Sequence, residues 1–198
     1  GADRFTDYTK TKYGGMRHTA TQSGSWDSVD SVLQLRSNNE PGISFNTFSA
    51  YIANGSYRAA FKLAKLNNTE YAGIIFRAID KDNFMEARYV QSDDKIHIYK
   101  TISAVPTDEA ESSVMGWSGS LSWRYIKVDF RYGKVIVFSS MDSKIWDLEI
   151  TYYQEGQHDP GSYGPVPLDK GYVGHIARGW APDITWTFPD FIIPDYIW

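Results

Sequence analysis

The sequence predicts an all-β domain built as an antiparallel two-sheet sandwich. Apolar and polar residues alternate in short runs, as they do when a strand turns one face to a core. Gly, Asn, Asp and Pro separate those runs, and no helical period fills the gaps between them. Aromatic residues make up 16% of the 198 positions (14 Tyr, 10 Phe and 7 Trp), and such rings favour pleated, half-buried surfaces.

Residues 57–66 follow the turn Asn54-Gly55-Ser56, and Asn67-Asn68-Thr69-Glu70 turns the chain into a strand at 71–79. Asp80-Lys81-Asp82-Asn83 and Ser92-Asp93-Asp94 are turns that bracket a strand at 84–91 and lead into one at 95–102. Residues 103–121 are polar, rich in Ser and without period, and read as a longer loop. Residues 123–131 and 134–139 form a hairpin around Tyr132-Gly133. A strand at 144–153 precedes a Pro- and Gly-rich loop at 155–170, and 171–177 and the stretch 180–193 close the domain. With no internal repeat and no shift in composition, residues 1–198 are expected to form a single domain.

Composition removes several classes of function. There is no Cys, so disulfides, thiolate metal sites and cysteine nucleophiles are excluded. The net charge is -4 with no basic stripe, which argues against a nucleic-acid partner. No apolar run approaches the roughly 20 residues of a membrane helix, so no membrane insertion is expected. The start Gly1-Ala2-Asp3 has no initiator Met and reads as a processed end, and Asn54-Gly55-Ser56 and Asn67-Asn68-Thr69 fit the N-glycosylation pattern. Together these favour a secreted, extracellular location. His18, His97, His158 and His175 are scattered without paired spacing, so no zinc site is predicted.

Alternation assigns faces. Met85, Ala87 and Tyr89 oppose Phe84, Glu86 and Arg88; Ile96 and Ile98 oppose His97 and Tyr99; Ile126, Val128 and Phe130 oppose Tyr125, Lys127 and Asp129. If these strands are neighbours, Glu86, Arg88, His97, Tyr99, Tyr125 and Lys127 share one surface, the leading candidate for ligand binding. The competing reading is a plain solvated outer face.

The order of these features resembles the concanavalin A-like, laminin G-like jelly rolls of carbohydrate-binding modules and of domains attached to glycoside-degrading enzymes. The residues that carry the resemblance are Trp26 with Val29-Asp30-Ser31-Val32-Leu33-Gln34, Tyr57 to Leu63, the run from Tyr71 through Phe76-Arg77 and the acidic turn to Asn83-Phe84, Trp123-Arg124-Tyr125-Ile126-Lys127-Val128, and Gly171-Tyr172-Val173-Gly174-His175. The resemblance implies a jelly-roll sandwich that binds sugar on a concave sheet or its loop edge, with Arg77, Glu86 and Arg88 as contacts. Fold alone does not decide activity.

Sugar binding needs flat aromatic faces and planar polar groups. Tyr99, Tyr125, Trp117, Trp180 and Tyr163 are candidates for the first, and Glu86, Arg88, Arg77 and His97 for the second. Trp117 stands out because Gly116 and Ser118-Gly119 place it in a loop. The E-x-D-x-x-E pattern of jelly-roll glycosidases is absent, and Asp147-Leu148-Glu149 reads as a solvated face with Trp146, Leu148 and Ile150 turned inward. Arg88 beside Glu86 is expected to keep that carboxylate ionised, which suits hydrogen bonding and not general-acid catalysis. Lys95-Ile96-His97 only partly echoes the Q-I-H of jelly-roll lyases, and the R-x-E-x-R motif is missing. No catalytic residues are therefore assigned. Asp80, Asp82, Asp93 and Asp94 are weak calcium candidates in acidic turns, against the plainer reading of hairpin turns.

The expectation is a non-catalytic extracellular carbohydrate-binding domain whose partner is a glycan or polysaccharide. Two alternatives stay open. One is a structural subunit of an extracellular or virion assembly that self-associates through the apolar tail at 189–198; the other is a glycan-cleaving enzyme.

Overall fold

A computed structural model of the chain describes residues 19–23, 26–29, 32–35, 38–46, 53–63, 66, 70–154, 168, 170–179 and 183–185. Among them are fourteen strands, numbered in chain order, in two antiparallel sheets of seven. The first sheet runs β1 (Thr19–Ser23), β4 (Asn38–Asn46), β13 (Tyr172–Gly179), β6 (Tyr71–Asp80), β7 (Asn83–Val90), β8 (Lys95–Ile102) and β9 (Val105–Glu111). The second runs β12 (Asp147–Tyr153), β11 (Lys134–Ser140), β10 (Arg124–Arg131), β5 (Gly55–Lys62), β14 (Asp183–Thr185), β3 (Val32–Leu35) and β2 (Trp26–Val29). The chain changes sheet between β1 and β2, β3 and β4, β4 and β5, β5 and β6, β9 and β10, β12 and β13, and β13 and β14. This is a jelly-roll sandwich. No helix among the described residues is long and apolar enough to cross a membrane.

The described core lies between the sheets and is built largely from alternate residues of the central strands. Ala72, Ile74 and Phe76 of β6, Met85, Ala87 and Tyr89 of β7, and Ile96 and Ile98 of β8 face Tyr57, Ala59 and Phe61 of β5, Ile126, Val128 and Phe130 of β10, and Val135 and Val137 of β11. Burying each large apolar side chain contributes roughly 1.5–3 kcal/mol. Phe76 and Phe130 stack across the two sheets at 5.3 Å. The Tyr57 hydroxyl meets His175 Nε2 at 3.2 Å within this core.

The strands expected between residues 57 and 153 and at 171–177 are present with small shifts of boundary, whereas the early strand that the resemblance implies at Trp26 and 29–34 is a hairpin of two, β2 and β3, and β1 and β4 have no counterpart in the sequence reading. Residues 103–121 depart from expectation, because β9 pairs with β8 from Val105 to Glu111. Its sequence carries Pro106 and three acids and lacks an apolar stripe, as suits an edge strand protected from further pairing. Leu148 also departs: a bulge between Val137 and Phe138 shifts the β11–β12 register, so Ile150 is buried and Leu148 is exposed. Asn54 spends its carboxamide oxygen on the Tyr132 N–H, which caps the β10–β11 turn. Trp180, Tyr163, Trp186, His18, His158, the second glycosylation tripeptide and the 189–198 tail lie outside the described residues.

Candidate functional site

The outer face of the first sheet gathers Glu86, Arg88, His97 and Tyr99. Hairpins bring β6, β7 and β8 side by side, and their register sets two rows. Gly73, Arg88, His97 and Glu111 lie abreast, and so do Ile75, Glu86, Tyr99 and Asp108. Diagonal contacts between rows are within reach of long side chains. The Arg88 guanidinium carbon sits 3.9 Å from the Tyr71 ring centre and 4.0 Å from that of Tyr99. Tyr99 stacks in turn on His97 at 5.5 Å. His97 is gripped at both nitrogens, Nε2 by Asp93 at 2.8 Å and Nδ1 by Asp108 at 2.9 Å. The result is one column across three strands: Tyr71, Arg88, Tyr99, His97.

Gly73 makes room for this column. A side chain there would place its Cβ 2.5 Å from Arg88 Cα and 2.7 Å from Arg88 Cβ, and nearer still to the Ala87 carbonyl oxygen. Beside the column, Tyr71, Ile75, Ala78, Phe84 and Ile176 form a second apolar cluster. The face is therefore more than a wet sheet surface, and its polar groups act in a poorly solvated setting. Arg88 holds Glu86 Oε1 at 2.9 Å. The Glu86 carboxylate is nonetheless not kept in its usual ionised range. Burial pushes it up to about 7, and the Arg88 guanidinium opposes that only in part. This corrects the expectation drawn from the Glu–Arg spacing, which counted the charge and missed the desolvation. Burial also pushes Tyr71 up to about 12. Two atoms of the buried pair, Glu86 Oε2 and Arg88 Nε, have no hydrogen-bond partner.

Other expected site residues lie elsewhere. Tyr125 and Lys127 belong to β10 in the second sheet, so they share no face with Arg88. There Lys127 Nζ lies over the Phe138 ring at 4.2 Å. Arg77 faces into the sandwich, because a positive φ of 51° and a register shift after Phe76 reverse the alternation. Its guanidinium donates to Gln154 Oε1 at 2.8 Å and to the Ala53 and Tyr132 carbonyl oxygens, tying both sheets at one end. The Tyr99 ring is engaged by Arg88 at 4.0 Å and by His97 at 5.5 Å.

Trp117 is in a loop as expected, but its ring is only 4% exposed and packs on Phe61 and Tyr89. Asp94 turns it inward. The Asp94 Oδ1 accepts from the Trp117 and Ser118 amides and the Tyr89 hydroxyl, while Oδ2 accepts from the Gly116 amide. Asp94→Ala is expected to destabilise the fold by on the order of 3 kcal/mol, because several donors lose a charged acceptor at once. Urea denaturation checks this, and a loss below about 1 kcal/mol would show that the cage contributes little.

The four calcium candidates do not share a cage. Asp80 accepts from the Asp82 amide and Asn83 Nδ2, Lys81 pairs with Asp82, and Asp94 is committed to the loop. Sequence reasoning missed Tyr71, Gly73, Asp108 and Glu111. The alternation of β6 carried a signal for the first two; nothing local carried one for the acids of β9.

No protein-family model matches the sequence, and no curated protein matches it. Solved structures do match, and they place the chain in the concanavalin A-like jelly-roll fold. A carbohydrate-binding module, CBM66 from Bacillus subtilis, aligns with a TM-score of 0.65 at 14% identity over 86% of this chain and 92% of that one. The exoplasmic/lumenal domain of VIP36 in a Ca2+/Man-bound form aligns with a TM-score of 0.60 at 13% identity over 93% of each chain. The GH43 protein BlXynB from Bacillus licheniformis aligns with a TM-score of 0.54 at 14% identity over 81% of this chain, which spans only 33% of that protein. At these identities the likeness is one of fold.

Proposed function

We propose that this chain is a non-catalytic, extracellular carbohydrate-binding domain that takes a neutral sugar at the Arg88–Glu86 pair on the outer face of the first sheet. The observation that carries the reading is the pair's incomplete hydrogen bonding: Glu86 Oε2 and Arg88 Nε each lack a hydrogen-bond partner. A sugar hydroxyl both donates and accepts, so adjacent hydroxyls satisfy the two atoms together. The tyrosine rings hold the guanidinium in one orientation, so little entropy is lost when a ligand binds. The similarity in fold to a carbohydrate-binding module and to a lectin domain supports the same reading.

Binding without cleavage fits the chemistry around Glu86. Glu86 is buried and its Oε1 is held by Arg88 at 2.9 Å, which suits hydrogen bonding to hydroxyls. Glycoside hydrolysis uses two carboxyl groups across the scissile bond. The assembly alternative rests on the 189–198 tail, outside the described residues.

A glycan array tests the proposal. The chain is expected to retain at least one class of neutral glycan, and Arg88→Ala is expected to weaken that binding at least 100-fold through loss of a buried charged donor. Failure to retain any glycan, or unchanged affinity in Arg88→Ala, would overturn it.

A further inference from the structure

Asp93, His97 and Glu111 converge at the rim of the same sheet face, with one ligand atom from each within 4.8 Å of the others. The three come from separate pieces of backbone: the β7–β8 turn, β8 and β9. A bulge makes the convergence. Asp108 and Glu111 are three residues apart, and regular alternation sends such residues to opposite faces. The register shift in β9 opposite Ile98 and Tyr99 places Asp108 beside Tyr99 and Glu111 beside His97, so both acids reach the outer face.

The imidazole is set up as a ligand. His97 is buried, and Asp108 Oδ2 lies 2.9 Å from Nδ1. With the proton on Nδ1 donated to Asp108, the Nε2 lone pair points at Asp93 and Glu111, the arrangement in which a carboxylate orients a metal-binding histidine. Charge favours a dication. The carboxylates of Asp93, Asp108 and Glu111 surround the imidazole, and Lys95 pairs with Glu111 Oε1. Mixed nitrogen and oxygen donors suit a first-row transition ion, whereas calcium prefers oxygen alone.

We infer that Asp93, His97 Nε2 and Glu111 bind one divalent transition-metal ion, with Asp108 positioning the imidazole and Lys95 displaced from Glu111. The ion takes neither Arg88 nor Glu86, the pair proposed to hold the sugar, so zinc uptake and glycan binding are read out separately.

Isothermal titration of the chelator-treated chain with Zn2+ tests it. Saturable uptake of one ion per chain is expected, with Asp93→Asn and Glu111→Gln each weakening it at least ten-fold. Both side chains are largely exposed (42% and 50%), so these variants keep the fold. Asp108→Asn is expected to weaken binding about ten- to hundred-fold although it removes no ligand. Excess Ca2+ should not displace the zinc. Absence of saturable uptake at about 1 mM Zn2+, or uptake unchanged in both ligand variants, would overturn the assignment.

Discussion

Gly73→Ala is expected to cost on the order of 3 kcal/mol of stability and to abolish sugar binding in whatever protein still folds. The added methyl cannot be absorbed by a side-chain rotation. It meets the β7 backbone at the Ala87 carbonyl and at Arg88 Cα, so the β6–β7 ladder itself must open. Strands this central have packed neighbours on both sides and cannot yield cheaply. Gly73 also lies opposite Arg88 in register, so any opening moves the guanidinium from between Tyr71 and Tyr99. Urea unfolding of the variant checks the first effect. A loss under about 0.5 kcal/mol would mean that the two strands have slack that the close approach denies.

Two buried ionisable groups give the stability opposing dependences on pH. His175 is held neutral by burial, its pKa lowered from 6.5 to about 3. Between those values the unfolded chain takes up a proton that the folded chain refuses. Stability therefore falls as pH drops from 6.5 towards 3, by up to about 1.4 kcal/mol per unit. Glu86 acts in the other direction. Folded, it keeps its proton up to about 7, while the unfolded chain releases it above 4.5. Its contribution is fully present below 4.5 and is lost as pH rises to 7. The slopes cancel between 4.5 and 6.5, where these two groups leave stability flat. Glu86→Gln is expected to remove the alkaline decline and expose the rising His175 slope across that interval; His175→Gln is expected to do the reverse. Denaturation curves from pH 3 to 8 check both, and parallel profiles for Glu86→Gln and wild type would contradict the burial of a protonated carboxyl.

Much of the architecture is legible in the sequence because it is local. The alternation in β7, β8 and β10 assigns each inward and outward residue as the structure has it. Acidic turns mark the hairpins that place β6, β7 and β8 together. What stays hidden depends on partners far along the chain. Nothing near Tyr125 tells that β10 pairs with β5 in the opposite sheet. The φ of Arg77 reverses the face of one residue inside an otherwise regular strand. Trp117 has the flanks of an exposed loop aromatic, yet the Asp94 carboxylate, 23 residues earlier, folds the loop back over the core. Glu86 shows a related blindness: its spacing to Arg88 reveals the charge pair, while the degree of burial that outweighs it is a property of the folded sheet.

NMR titration of the arginine side-chain Nε–Hε signals with a neutral oligosaccharide retained on the array tests the binding face most directly. The account predicts that the Arg88 signal shifts and saturates with the ligand, accompanied by Tyr71 and Tyr99 ring signals. Saturable binding that moves Tyr125, Lys127 and Phe138 of the second sheet while Arg88 stays fixed would contradict it.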